Sequence, residues 1–226
     1  MARIGILHGT ENWGQTKRAR TEYTPDDWEA WSRAEGFASK RIAIQEMSTI
    51  DGGGWFDAVI NPFGESYPEE DPKEETSLTR LVEYMERGGV FVCTGGWPFY
   101  YATSPSGTIP DGRRLRRHFH VDVNSEQWWE DFEPVRQPPE SIMKYGALMH
   151  ADGDSRVHVW RPIREEYGAV EQVLVASGRD GIVLGLLPTG EGAAVFCGMA
   201  LRGSSEFDKV SSFLEHLLRR GPTAWE

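Results

Sequence analysis

Two cysteines in 226 residues are too few for a disulfide framework. Cys93 and Cys197 both sit in apolar stretches, which predicts two buried free thiols, and the count excludes a four-cysteine zinc site. No apolar run approaches the roughly 18 residues that cross a bilayer, and the opening MARIGILHGTENWG has too short an apolar stretch for a secretory signal. Basic residues are also scarce. With 24 Lys and Arg against 35 Asp and Glu the net charge is -11, which argues against a phosphate backbone as partner. These shortages predict a cytoplasmic protein that binds neither nucleic acid nor membrane. The RRLRRH cluster from Arg113 to His118 is a local exception and reads as an exposed loop or strand face.

What is abundant is tryptophan, with nine residues. Trp fills cores and interfaces, which predicts a homo-oligomer, and it also stacks well on sugars and other flat, partly apolar ligands. Hydrophobic content of 39% with 26% charged residues is ordinary for a globular chain able to bury a full core.

The central stretch is Leu81 to Ala102. An amphipathic helix ends on Gly88 and Gly89, an apolar strand follows (Val90, Phe91, Val92, Cys93), and the chain turns through Thr94, Gly95 and Gly96 into an aromatic segment. Upstream, Arg3 to His8 reads as a first strand. Thr24, Pro25, Asp26 and Asp27 carry a full helix start, with Trp28, Trp31 and Ala34 as the buried stripe and Gly36 as the stop. Lys40 to Met47 alternates like an edge strand, and Trp55 to Asn61 reads as a third strand running into Gly64 and Glu65. The acidic run Glu69 to Glu75 reads as a solvated loop. Thr76 or Ser77 is the expected cap of a helix that buries Leu78, Leu81, Val82 and Met85.

From Tyr100 to about Ala151 the periodicity fails, which predicts an insertion at about 100–151 folding over the carboxyl edge of the sheet. Strands resume at Val157 to Trp160, Gln172 to Ala176, Ile182 to Leu187 and Ala193 to Cys197, the last two joined by a hairpin turn. A helix over about Ser205 to Arg219 closes the chain. The fold expected is α/β: a flavodoxin-like open, mainly parallel sheet with helices on both faces, an insertion after the fourth strand and a carboxyl-terminal β-hairpin plus helix, all in one domain.

FDAVINPFGE before the helix, GGVFVCTGGWPFYYA after it, and the ending GIVLGLLPTGEGAAVFCGM together resemble the class I glutamine amidotransferase-like superfamily. Within it, they look like the branch of trehalose-utilisation-type proteins and β-galactosidase trimerisation domains. The likeness covers roughly residues 1–100 and 155–219. Active members carry a glycine-x-cysteine-x-glycine elbow after this strand. Here, Cys93 in the nucleophile position puts Phe91 where the first glycine belongs, whereas Thr94 in that position puts Val92 there. No histidine stands near Cys197-Gly198-Met199, so standard glutamine hydrolysis is not expected.

Sheet topology should gather His8, Glu11 and Trp13 from the first strand, Asn61, Gly64 and Glu65 from the third, and Thr94, Gly95, Gly96, Trp97 and Tyr100 from the fourth. Polar groups rimmed by aromatics suit a carbohydrate or another hydroxylated small molecule, with no cofactor called for. The rival reading is a hydrolase with Cys93 or Thr94 as nucleophile, His8 or His150 as base and Glu65 as orienting acid. A third is a metal enzyme, since His118, His120 and Asp122 would share one side of an extended segment, with His150, Asp152 and Asp154 as a second cluster. A polar strand face without metal is the preferred reading there.

Overall fold

A computed structural model describes residues 1–9, 20–46, 56–128, 132–134, 156–163, 170–176 and 181–220. Its parallel core is built from β1 (Arg3–Leu7), β2 (Ala38–Ile42), β3 (Ala58–Asn61), β5 (Val90–Cys93) and β13 (Gly192–Cys197), in the order β2-β1-β3-β5-β13. β5 pairs parallel with β3 on one side and β13 on the other, with Cys93 opposite Asn61 and Phe196. It is thus an interior strand with a parallel neighbour on each side. Beyond β13 the sheet becomes antiparallel through β12 (Ile182–Thr189), β10 (Arg156–Pro162) and β8 (Val121–Trp128). β11 (Glu171–Ala176) pairs with β12 and with β9 (Phe132–Pro134). The expected hairpin is the β12–β13 turn at Gly190 and Glu191.

Strand alternation sorts the core into two layers. In β5, Val90 and Val92 join the layer under α1 (Pro25–Ala34) and α4 (Ser204–Arg220), where Trp28, Val210, Phe213, Leu214 and Leu217 are buried. Phe91 and Cys93 join the opposite layer with Leu78, Leu81 and Met85 of α2 (Thr76–Glu86). Helices therefore cover both faces. Each fully buried large apolar side chain contributes about 1.5–3 kcal/mol of burial free energy.

α1 starts as its sequence predicts. The Thr24 side chain accepts from the Asp27 N–H, and the Asp27 carboxylate accepts from the Thr24 N–H at 2.7 Å, a complete capping box. Its inner face differs by one position: Ser32, one turn after Trp28, is buried, whereas Ala34 points outward. The second strand starts and ends earlier than its alternation suggests, and it is indeed an edge strand.

The acidic run is only in part the solvated loop its charge suggests, since Asp71 and Glu74 are exposed but its first residue is not. Glu69 is fully buried and accepts from the N–H groups of Ser77 (2.8 Å) and Leu78 (3.3 Å) and from the Tyr67 hydroxyl (3.1 Å). A carboxylate from outside the helix thus caps the positive end of α2, where Thr76 or Ser77 was expected to do so. The residue in the N-cap position, Glu75, adopts a left-handed backbone with φ 51° and makes no capping bond.

The described part of the 100–151 segment is ordered secondary structure. β4 (Ser66–Pro68), β6 (Tyr101–Ser104) and β7 (Gly107–Pro110) form a separate three-stranded sheet, and α3 (Arg114–Phe119) leads into β8. The basic cluster is therefore a helix, not a loop or strand face. Arg114 is 2% exposed; its Nη1 donates to the carbonyls of Phe99 (3.1 Å) and Tyr100 (2.8 Å), and its Nε to Glu75 Oε1 (3.1 Å). Arg117 also pairs with Glu75 Oε1, and His118 Nε2 lies 2.6 Å from Oε2. One carboxylate ties α2 to the segment that follows β5. Burial pushes the Glu75 carboxyl up, but hydrogen bonds from His118 and Arg117 outweigh it and hold the group below the usual carboxylate value.

Candidate functional site

Two loops leave the carboxyl ends of neighbouring parallel strands and meet at Glu65. After β3, Asn61 closes its own loop: its Nδ2 donates to the Ser66 carbonyl at 2.8 Å and its Oδ1 accepts from the Phe63 N–H at 3.4 Å. Gly64, at φ 65°, makes the turn that places Glu65. After β5, the Thr94 hydroxyl donates to the Asn61 carbonyl at 2.7 Å and locks the two loops together.

Gly95 and Gly96 then pass between other backbones. A Cβ on Gly95 would stand 2.8 Å from the Met199 carbonyl oxygen, and one on Gly96, at φ 73°, 2.7 Å from Glu65 Oε1. Only glycine lets the turn pass this close to the carboxylate. The Trp97 N–H donates to Glu65 Oε1 at 3.1 Å, and Arg20 Nε stands 3.7 Å from the same oxygen.

The antiparallel wing supplies the remaining group. The His158 N–H donates to the Gly198 carbonyl at 2.9 Å, which draws β10 against the end of β13. A side chain on Gly198 would overlap the His158 carbonyl. His158 Nε2 thereby reaches Glu65 Oε1 at 3.3 Å, with both side chains only about a tenth exposed (9% and 11%). The His158 ring lies 5.6 Å from the half-buried Trp97 ring, which lies 5.4 Å from Tyr100. The result is a carboxylate–imidazole pair under two aromatic rings at the edge where open α/β sheets bind ligands.

Asn61, Gly64, Glu65, Thr94, Gly95, Gly96, Trp97 and Tyr100 are all at this edge. His8 follows β1 at the same edge but two strands away from the β5 turn: its N–H donates to the Ile42 carbonyl of β2 and its Nδ1 contacts the Gly9 carbonyl at 2.8 Å. With β3 between β1 and β5, it stands about two strand spacings, roughly 10 Å, from the β5 turn. Glu11, Trp13, His150, Asp152 and Asp154 lie outside the described residues.

Neither elbow register produces an exposed nucleophile. Cys93 is fully buried between Phe91 and the α2 layer, and burial pushes its thiol well above the ordinary range. Thr94 is fully buried with its hydroxyl donated to Asn61. No helix follows the turn. The chain passes through Phe99, at φ 60°, into β6, so the helix dipole that would activate a thiol there is missing. Cys197 lies on the neighbouring strand but faces the opposite layer, so the two thiols are free; burial pushes Cys197 up to about 12.

His118 and His120 do not share an extended face either. His118 is in α3 and bound to Glu75, His120 forms the left-handed end of α3, and Asp122 pairs with Arg116 at 3.4 Å. Among the described residues no group of three His, Cys, Asp or Glu is placed to hold a metal. None of their helices is long and apolar enough to cross a membrane.

Two site residues escaped the sequence reading. Arg20 lay inside a long polar loop without periodicity. His158 was hidden in an otherwise apolar strand, where a lone imidazole between Val157 and Val159 was the available signal.

No family model matches the chain, and no curated protein matches its sequence. In fold it is similar to the β-galactosidase of Bacillus circulans sp. alkalophilus (TM-score 0.57, 13% identity), covering 97% of this chain and 31% of that one. A cold-adapted β-galactosidase from Rahnella sp. R3 is similar at TM-score 0.58 and 15% identity, with the same coverage. The chain thus spans under a third of the length of these enzymes. A cytoplasmic protein of Salmonella typhimurium LT2 is similar over nearly its whole length (TM-score 0.53, 9% identity, 96% of this chain and 98% of that one).

Proposed function

We propose that this chain, whose fold is that of the class I glutamine amidotransferase-like superfamily, is a cytoplasmic domain without standard amidotransferase activity. It binds a small hydroxylated molecule, of carbohydrate type, above the ends of β3 and β5, and it assembles as a homo-oligomer. The observation that carries this reading is the contrast at one sheet edge. The elbow positions are sealed, with Cys93 and Thr94 fully buried, while Glu65 and His158 converge beneath the half-exposed Trp97 and Tyr100. Aromatic faces suit the apolar side of a sugar ring, and a fixed carboxylate accepts hydroxyl protons. Two neighbours in fold are β-galactosidases, which supports a role in carbohydrate metabolism, either as a ligand domain or an assembly domain.

Titration of the protein with neutral sugars, followed by tryptophan fluorescence, tests the ligand reading: a saturable change that Trp97→Leu abolishes is expected, and a flat response across the panel refutes it. Ammonia release from glutamine is expected to stay at background. Sedimentation equilibrium tests assembly, and a monomer at micromolar concentration refutes that part.

A further inference from the structure

We infer that β7 (Gly107–Pro110) is a self-association edge: a second copy of this chain lays its own β7 antiparallel to it, about a two-fold axis centred on Thr108. The inference rests on the homo-oligomer reading and adds to it the contact surface and its symmetry.

β7 is the outer strand of the small sheet, with β6 on one side and no strand on the other among the described residues. Its outward groups follow from its neighbour. In β6 the Tyr101 N–H donates to the Glu65 carbonyl at 2.9 Å and the Thr103 carbonyl accepts from the Glu69 N–H at 2.8 Å, so both residues turn their backbone to the β4 side. Ala102 and Ser104 therefore face β7, where they oppose Ile109 and Gly107. Thr108 and Pro110 are left to turn theirs outward. Thr108 thus presents an N–H and a carbonyl on the open side, and Pro110 a carbonyl without an N–H. All of β7 is exposed, Ile109 at 43%. An open edge of this kind is a template for another strand.

Symmetry and charge both favour a second copy as that strand. An antiparallel pair in which Thr108 faces Thr108 of the second copy exchanges both N–H···O bonds, and Pro110 leaves no further N–H of the strand unmet. In the same register Ile109 lies beside Gly107 of the second copy, which has no side chain in its way, and the two-fold axis repeats that contact. With a net charge of -11 two copies repel, so they meet at least cost where neither is charged. Pro105 to Pro110 are consecutive exposed residues without a charge among them. Asp111, the first charge beyond, falls opposite Pro105 of the second copy and not opposite another carboxylate.

The test uses the full chain. Sedimentation finds a concentration at which it is assembled and a dilution at which it is monomeric, and residue-resolved hydrogen exchange compares the two in the unmodified protein. The Thr108 amide is expected to exchange about tenfold more slowly when assembled, whereas the Ile109 amide, which faces β6, should not change. Thr108→Pro removes the outward N–H without breaking a bond of the hairpin. Checked for a native melting transition, it should weaken association about tenfold, since each pair of copies loses two hydrogen bonds. Ile109→Lys, which brings like charges together near the axis, should weaken it as well. Assembly in which the Thr108 amide exchanges equally fast in both states, or which Thr108→Pro leaves at wild-type strength, overturns the β7 contact while the homo-oligomer reading stands. A Thr108 amide that is equally slow in both states means that the chain covers its own edge, which overturns the contact too. A chain that is monomeric at micromolar concentration removes the homo-oligomer reading and this inference with it.

Discussion

Replacing Arg114 with methionine tests whether a buried cation, rather than apolar packing alone, fastens the segment after β5 to the core. The guanidinium is 2% exposed and donates to the Phe99, Tyr100 and Ile109 carbonyls as well as to Glu75. Methionine keeps an aliphatic stem in the slot, so the loss is mainly of hydrogen bonds and charge. Breaking a buried ion pair by removing one partner costs about 3–5 kcal/mol. Glu75 keeps Arg117 and His118, and the Tyr100 carbonyl still accepts from the Asp111 N–H at 2.8 Å, so the lower end applies: about 3 kcal/mol. For a chain of this length that is a fall of roughly 6–12 °C in melting temperature. Urea unfolding followed by tryptophan fluorescence measures it directly, with Glu75→Gln as comparator at about 1 kcal/mol because the carbonyl partners of Arg114 survive. An Arg114→Met protein within about 0.5 kcal/mol of wild type, the range of an ordinary surface change, refutes the reasoning.

Iodoacetamide at neutral pH should modify neither Cys93 nor Cys197 in the folded protein, and both after unfolding; mass spectrometry showing rapid selective labelling of Cys93 would instead revive the hydrolase reading. The Glu75 carboxyl is held lower in the folded state than its ordinary 4.5, so its contribution is complete above that value and disappears as the pH falls below it. The stability gap between wild type and Glu75→Gln should therefore narrow below pH 4.5, and a gap unchanged on acidification to about pH 3 contradicts the linkage. Thr24→Ala removes the side-chain half of the capping box of α1 and should cost about 1 kcal/mol in the same urea assay, whereas no change would mean that packing of Trp28 alone holds the helix start.

Local physics made much of the fold legible. The Thr24-Pro25-Asp26-Asp27 start announces a helix because each residue satisfies a backbone group or a dihedral of the first turn. Val90 to Cys93 announces a buried parallel strand because apolar residues fill both of its faces. From that strand's central place followed the positions of Glu65, Gly95, Gly96 and Trp97 at one edge. The acidic and basic clusters misled for a shared reason. A charged run looks solvated in sequence, but Glu69 is buried by the helix end it caps, and Arg114 by the carbonyls it gathers; those partners come from other elements.

What the chain's own order of residues determined is therefore the strands and helices of the parallel core with the closing hairpin and helix, their amphipathic faces and the convergence of the loops after β3 and β5. Only the tertiary structure decided that the Thr94 hydroxyl is tied to Asn61, that one carboxylate joins α2 to α3, and that His158 lies beside Glu65. The physical reason is range. Capping and periodicity act over a few residues and can be read locally, whereas the Glu65–His158 pair exists because an antiparallel wing is drawn against the end of β13 at Gly198, a contact that no local pattern encodes.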